Sequence, residues 1–159
     1  MSDTLFPELE AEGDAVAPSA RRGFIIRTDG AARGNPGPAS SGAALYDLGR
    51  PDARNDRAVP DASISDYLGV RTNNVAEYTA VVRALELATE LGAREVHLLL
   101  DSKLIPLWTA ARRSLGALDR WTATHVPRAQ NSVADALCNE AIDRATAGGP
   151  ASVVVRPGA

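Results

Sequence analysis

Apolar positions along the chain fall into short runs separated by polar, glycine-rich or proline-rich stretches. The runs are rich in β-branched, aromatic and small apolar residues, which is typical of β-strands. The predicted strands lie near residues 24–29, 42–46, 66–70, 95–100 and 121–125. The first of them ends at Asp29, where a glycine-rich stretch begins.

Two longer stretches show the spacing of amphipathic helices. Apolar residues recur at three- and four-residue steps over residues 76–91 and again over residues 133–145. Asn74 followed by Glu77 resembles a capping box at the start of the first helix. Residues 102–114 can form a further short helix. A strand, a helix and a strand in close succession imply a crossover and a parallel pair, and therefore an α/β fold.

The two ends of the chain lack this periodicity. Residues 1–22 mix Glu, Ala, Pro and Ser and are expected to form a disordered acidic tail. Residues 23–147 are then one domain, which is long enough to bury a core. Residues 148–159 are expected to be a C-terminal tail, in which residues 151–156 fit either a frayed edge strand or disordered chain.

Charge and composition narrow the functional classes. The net charge of −3 at first disfavours a nucleic-acid partner, but five acids lie in residues 1–22 and the remainder is neutral. A single cysteine, Cys138, excludes an intramolecular disulfide and fits a reducing compartment. No apolar segment approaches the ~20 residues of a membrane helix, and no signal peptide is recognisable. We therefore expect a cytoplasmic protein that does not bind membranes.

Four isolated acids stand at the ends of predicted elements. Asp29 and Asp101 follow strands, whereas Glu77 and Asp135 open helices. Glu77 lies on the apolar face of its helix, where a carboxylate is costly unless a cation meets it. Each acid alone has a plain alternative explanation. Asp29 suits a hairpin turn, Asp101 suits a helix cap, and a helix dipole favours acids in the first turn.

Taken together, the motifs around these acids resemble the type 1 ribonuclease H family. They occur in the family's order between residues 24 and 145. The motifs are Asp29-Gly30-Ala31, Gly34-Asn35-Pro36-Gly37, Thr72-Asn73-Asn74-Val75-Ala76-Glu77, Asp101-Ser102 and His125-Val126-Pro127-Arg128 with Asn131, Ala134 and Asp135. The resemblance implies a ribonuclease H-like fold, with a five-stranded mixed sheet flanked by helices on both faces.

The resemblance also implies a metal-dependent endoribonuclease that cuts the RNA strand of RNA/DNA hybrids and leaves 5′-phosphate and 3′-hydroxyl ends. Asp29, Glu77, Asp101 and Asp135 would bind two Mg²⁺ or Mn²⁺ ions, which activate a water and stabilise the leaving oxygen. His125 occupies the place of a mobile histidine that assists proton transfer or product release. Its plain alternative is an exposed loop histidine.

Recognition of a hybrid would depend on short polar side chains and bare backbone that read the 2′-hydroxyl across a shallow groove. The candidate contact residues are Gly30, Arg33, Asn35, Thr72, Asn73, Asn74, Ser102 and Asn131. Loop formation, helix capping and surface charge are their plain alternatives. Two other functions remain open, namely a nucleic-acid-binding module without turnover and a nuclease acting on double-stranded RNA.

One departure from the family concerns the stretch after the third acid. Longer members carry an extra helix and a basic protrusion there, but residues 102–124 leave room only for a short helix and a strand. Trp108 and Trp121 are expected to belong to the core rather than to a base-stacking surface. The sequence therefore predicts weaker, salt-sensitive hybrid binding, unless a homodimer partner or another protein supplies the missing surface.

Overall fold

A computed structural model describes residues 3–4, 22–100 and 115–158. The strands are β1 (Asp3–Thr4), β2 (Gly23–Ala32), β3 (Gly37–Asp47), β4 (Ala62–Arg71), β5 (Glu95–Leu100), β6 (Arg120–His125) and β7 (Ser152–Val155). The helices are α1 (Asn73–Glu90) and α2 (Ser132–Thr146), and a 3-10 turn at Arg128–Gln130 leads into α2. No helix within these ranges is long and apolar enough to cross a membrane.

All seven strands form one mixed sheet. Its order is β1-β6-β5-β2-β3-β4-β7, with β5 parallel to both β2 and β6 and the other pairs antiparallel. The five predicted strands are the five inner ones, so the predicted ribonuclease H-like mixed sheet is confirmed. The short strands β1 and β7 extend it at the two edges.

Helices α1 and α2 cover opposite faces of the sheet. Phe24 and Ile26 of β2 join the apolar cluster that includes Leu85 of α1. Ile25, which points to the other face, joins a second cluster that Leu137 of α2 packs against. Alternation along a strand therefore separates the core into two layers, one under each helix. Trp121 is buried in the first layer, as predicted, whereas Trp108 lies outside the described residues.

Strand β2 is longer than its apolar run predicts. Pairing with β3 continues as far as Ala32 opposite Ala39, and the Arg33 N–H then bonds to the Pro38 carbonyl at 2.8 Å. Asp29 consequently lies three residues before the end of the strand instead of at its end. The glycine-rich stretch after it forms the turn of a β2–β3 hairpin.

The start of α1 also differs from the capping box at Asn74 and Glu77. Thr72 is the capping residue, and its hydroxyl accepts a hydrogen bond from the Val75 N–H at 3.3 Å. The helix therefore begins one residue before Asn74, and Asn74 lies within its first turn.

Both ends of the described chain contribute to the sheet. Val154 of β7 pairs with Ile64 of β4, and Arg156 extends the attachment through an ion pair with Glu90 of α1. At the other edge Asp3 pairs with His125. The expected domain boundaries remain predictions, because residues 5–21 lie outside the described ranges.

Candidate active site

Gly30 allows β2 to touch the start of α1. A Cβ atom at this position would collide with the backbone of Ala76 and Glu77. On the neighbouring strand, the Ser41 hydroxyl donates to the Ala76 carbonyl at 2.6 Å. These two contacts bring Glu77 next to the Asp29-Gly30 segment, as the sequence motifs predict for a shared site.

A second glycine brings α2 to the other side of the same segment. Gly42 is the cross-strand partner of Asp29, and a Cβ atom there would collide with the Ala134 carbonyl. The Cys138 thiol donates to the Asp29 carbonyl at 3.3 Å. Because Asp135 directly follows Ala134, the first turn of α2 places this acid close to Asp29.

Asp101 and Ser102 lie outside the described residues. The residue before Asp101 is Leu100, which pairs with Thr28 in the parallel β2–β5 register. Thr28 is in turn the residue before Asp29. Strand β5 therefore ends one residue short of the level of Asp29.

The three described acids differ in exposure. Asp29 is buried, with 7% of its surface exposed, and its Oδ1 accepts the Gly30 N–H at 2.9 Å. Glu77 and Asp135 are half-buried. The Oδ1 of Asp135 lies 3.9 Å from a guanidinium nitrogen of Arg128, which is itself exposed. One buried and two half-buried acids thus lie on segments of β2, α1 and α2 that are in contact with one another.

The donor chemistry of this group fits a hard divalent cation, because carboxylate oxygens are the ligands that Mg²⁺ and Mn²⁺ prefer. Within the described ranges, no three Asp, Glu, His or Cys side chains lie close enough to hold an ion by themselves. Asp101 lies outside these ranges. The described acids therefore fit a metal site only together with a further ligand.

His125 is the last residue of β6 and pairs with Leu100 of β5. The residue is half-buried, and its Nδ1 is buried without a hydrogen-bond partner among the described residues. The structure thus places His125 at the end of a strand and not in an exposed loop. It stands beside the strand that leads to Asp101.

Several predicted contact residues form one surface next to Gly30. The Asn73 Oδ1 accepts the Ala32 N–H at 2.9 Å, and the Asn35 Oδ1 accepts the Asn73 N–H at 3.1 Å. These bonds join the hairpin turn to the start of α1. Thr72 and Asn74 are exposed on the same surface. Arg33 is exposed as well and pairs with Asp143 at 2.9 Å.

Asn131 has a different environment from the other predicted contact residues. Its side chain is completely buried, and its Nδ2 donates to the Thr28 carbonyl at 2.7 Å. Burial argues against the predicted substrate contact and favours a role in holding α2 against β2. Asn131 is also the residue whose carbonyl accepts the Asp135 N–H at 3.1 Å.

Arg27 is a functional candidate that the sequence analysis missed. It lies in the middle of β2, two residues before Asp29, and only 3% of its surface is exposed. Its guanidinium donates to the Gln130 carbonyl at 2.7 Å and to the Arg54 carbonyl at 2.9 Å. Burial lowers the pKa of this group. The one signal in the sequence is a charged residue inside an otherwise apolar strand.

Comparison with known proteins shows the family of this chain. The RNase H family model matches residues 21–113. Ribonuclease HI of Halobacterium salinarum is 41% identical over 133 residues, spanning 74% of this chain and 63% of the relative. A bifunctional protein of Mycobacterium tuberculosis is 35% identical, and this chain spans 36% of its length. The chain thus covers less than two thirds of these curated relatives.

Solved structures give the same family. The crystal structure of RNase H1 from Halobacterium salinarum aligns with a TM-score of 0.66 at 37% identity, covering 76% of this chain and 98% of that one. LC11-RNase H1, solved in complex with an RNA/DNA hybrid, aligns with a TM-score of 0.61 at 34% identity. This alignment covers 77% of the present chain and 99% of LC11-RNase H1.

Proposed function

The chain belongs to the ribonuclease H family, and we propose that it is an endoribonuclease that hydrolyses the RNA strand of RNA/DNA hybrids. The observation that carries the proposal is the convergence of α1 and α2 on the Asp29-Gly30 segment. Gly30 lies against Glu77, and Gly42, the partner of Asp29, lies against Ala134. A binding module without turnover has no need for acids at these contacts.

Members of the family use divalent metal ions, and the acids of this chain suit that use. We assign Asp29, Glu77, Asp101 and Asp135 as the residues that would hold two Mg²⁺ or Mn²⁺ ions. When bound, such a pair supplies a nucleophilic water and neutralises the charge that develops on the leaving 3′ oxygen. The products are a 5′-phosphate and a 3′-hydroxyl end.

The protein contributes orientation. The Gly30 N–H holds Oδ1 of Asp29, so this carboxylate has a defined direction before any ion binds. Backbone contact at Gly30 fixes the distance between β2 and the turn that carries Glu77. Asn131 and Cys138 tie α2 to the same strand and set the approach of Asp135. Ligands held in this way need little rearrangement when the ions bind.

His125 is assigned to proton transfer near the third acid. Its position at the end of β6, beside Leu100, is compatible with this role. An imidazole ring can accept a proton from a water, and its imidazolium form can donate one to a leaving oxygen. Replacement by glutamine is expected to lower the turnover number and leave hybrid affinity unchanged.

The surface formed by the hairpin turn and the start of α1 is assigned to the RNA strand. Its side chains are short and polar, as reading a shallow groove requires. Arg33 and Arg128 are exposed cations near this surface and near Asp135, where they suit phosphate contacts. LC11-RNase H1, a relative of this chain, has been solved with an RNA/DNA hybrid, which supports a hybrid as the substrate.

A cleavage assay tests the proposal. The protein is incubated with Mn²⁺ and a hybrid labelled on its RNA strand, alongside Glu77→Gln, Asp101→Asn and the control Glu86→Gln. Glu86 is an exposed acid on the same helix as Glu77, away from the site. We expect cleavage by the parent protein and the control and loss of at least ~100-fold in the two site variants.

Three outcomes contradict parts of the proposal. Equal cleavage by the parent protein and by Asp101→Asn contradicts the assignment of these acids as metal ligands. Tight hybrid binding without cleavage by any of the proteins favours the binding module. Cleavage of a matched double-stranded RNA in preference to the hybrid changes the substrate.

A further inference from the structure

Arg27 stands out because a buried cation is costly unless hydrogen-bond acceptors or an opposite charge compensate for its lost hydration. The guanidinium lies on the face of the sheet that α2 covers. It donates hydrogen bonds to backbone carbonyls of two separate segments. One carbonyl belongs to Arg54 in the β3–β4 connection. The other belongs to Gln130, which ends the 3-10 turn between β6 and α2. Arg27 thus cross-links two segments that are distant in sequence.

The contact to Gln130 belongs to a series along β2. Arg27 bonds to the carbonyl of Gln130, the Thr28 carbonyl accepts from the Asn131 side chain, and the Asp29 carbonyl accepts from Cys138. Three consecutive residues of β2 therefore form hydrogen bonds with three residues of the segment that contains Asp135. Arg27 makes the first of these attachments, at the point where the chain turns into α2.

Resting on the proposed function, we propose that Arg27 is a positioning residue that sets the place of Asp135 relative to Asp29 and thereby the affinity of the site for its divalent ion. The guanidinium fixes Gln130, Gln130 precedes Asn131, and the Asn131 carbonyl receives the Asp135 N–H. A shift of Gln130 is therefore transmitted to Asp135 through one helical turn.

The chemistry of arginine explains why this residue type is used. A planar guanidinium can donate in two directions at once, which matches two carbonyls on opposite sides. Lysine offers a point charge on a flexible stem and can satisfy one of the carbonyls at a time. Methionine has a similar volume but no donor, so it leaves both carbonyls without this partner. Rotation of the 3-10 turn toward another donor is the expected consequence.

The same cross-link attaches the β3–β4 connection to the segment before α2. Arg54 contacts the guanidinium only through its carbonyl in this cross-link. A second link joins the same two regions, because the Ser132 hydroxyl donates to the Asp56 carbonyl at 3.4 Å. The connection is therefore attached to the segment around the start of α2 at two points.

Calorimetric titration with Mn²⁺ tests the inference without depending on catalysis. The full-length parent protein is compared with Arg27→Met, Arg27→Lys and the control Arg50→Met. Arg50 lies in the same β3–β4 connection and bonds to the Val59 carbonyl and to Asp61, so its loss loosens the connection without touching Gln130. Circular dichroism and urea unfolding establish that each variant is folded at the temperature of the titration.

We expect the dissociation constant for Mn²⁺ to rise about tenfold in Arg27→Met, to rise less in Arg27→Lys and to stay unchanged in Arg50→Met. At saturating hybrid, the turnover number is expected to fall by roughly 10- to 100-fold in Arg27→Met, while the Michaelis constant for the hybrid changes less than about twofold. A purely structural role would lower the urea midpoint and leave the metal affinity of the folded protein intact.

Folded Arg27→Met with the metal affinity and turnover number of the parent protein overturns the inference. If Arg27→Met does not fold, Arg27→Lys decides, because a parent-like Mn²⁺ affinity in that variant has the same meaning. Failure of the parent protein to cleave the hybrid contradicts the proposed function, whereas the calorimetric comparison still tests Arg27.

Discussion

Gly30 of β2 and Glu77 of α1 are in direct backbone contact, and the space between them has no room for a Cβ atom. Gly30→Ala is therefore expected to push the first turn of α1 away from the sheet. Overpacking of this kind costs about 1 to 3 kcal/mol, and a rigid backbone neighbour favours the upper end. The free energy of unfolding from urea titration and the rate of hybrid cleavage are both expected to fall.

Gly49→Ala is the matched control for this substitution. Gly49 is exposed, and an added Cβ atom would meet only the end of the Asp47 side chain, at 3.2 Å. We expect near-parent stability and activity for this control. An equal loss in both variants would mean that the Gly30 contact has no special part in positioning Glu77.

Metal binding is expected to stabilise the folded protein, because an ion that binds only the native state shifts the unfolding equilibrium. Mn²⁺ at about 100 times its dissociation constant contributes about 2.7 kcal/mol. For a chain of this size we expect a Tm higher by roughly 5 to 10 °C in differential scanning calorimetry. Asp135→Asn is expected to lose part of this increase, and Glu86→Gln none of it. A metal response that is equal in Asp135→Asn and the parent protein removes Asp135 from the ligand set.

The hybrid complex is expected to weaken steeply with salt. Arg33 is paired with Asp143 in the free protein, but both side chains are largely exposed, so releasing Arg33 to a phosphate costs little. Replacing Arg33 or Arg128 by glutamine is expected to reduce the slope of log affinity against log salt by about 1 each. The slope is obtained from the fluorescence anisotropy of a labelled hybrid, measured at salt concentrations from about 50 to about 200 mM.

Arg94→Gln serves as the control for the salt experiment. Arg94 is an exposed arginine next to the start of β5 and pairs with Asp119, at the end of the sheet opposite to the acids. Its replacement is expected to leave the slope unchanged. A slope that changes equally in all three variants would indicate a general charge effect and not phosphate contacts at the proposed surface.

His97 is expected to make stability dependent on pH below neutrality. Its ring is buried, with Nε2 2.6 Å from the Glu95 carboxylate and Nδ1 2.8 Å from the Thr122 hydroxyl. Burial lowers the pKa of His97 below its ordinary value of 6.5, although Glu95 acts in the opposite direction. The unfolded chain then binds a proton more readily than the folded one. Protonation of His97 therefore does not affect the free energy of unfolding above about pH 6.5. Below that pH the free energy of unfolding decreases as the pH falls.

Urea midpoints at pH 7.5 and pH 5.5, about one unit on either side of the ordinary histidine value, measure this decline. We expect the difference between the two midpoints to be smaller in His97→Gln than in the parent protein. The same difference in both proteins would assign the pH dependence to other groups.

Much of the fold follows from local patterns. The buried run Glu95–Leu100 is bounded by polar residues on both sides, and strand β5 has these bounds. The end of α1 follows from Gly92, which adopts a φ of +83° that other residues avoid. Both features depend on residues close together in the chain, which is why the sequence predicts them.

Other features depend on contacts between distant residues. The extension of β2 to Ala32 comes from pairing with β3, and the strand at Ser152–Val155 forms because β4 offers a free edge. Neither feature has a sequence pattern that distinguishes it from a loop or a terminal tail. Arg27 is the sharpest case, because an arginine in a strand is ordinarily a surface residue. Its burial depends on carbonyls 27 and 103 residues away.

The hydrogen bonds among Ala32, Asn35 and Asn73 join the β2–β3 hairpin to the start of α1 and so form a preorganised surface, called the platform below. Immobilising a flexible side chain on binding costs about 0.5 to 1.5 kcal/mol, and a preformed surface avoids that loss. A rigid platform also adapts poorly to a nucleic-acid duplex whose groove is wider or narrower than the platform fits. On the proposed function, selectivity for hybrid over other duplexes then comes from the rigidity of this platform more than from the number of charges around it.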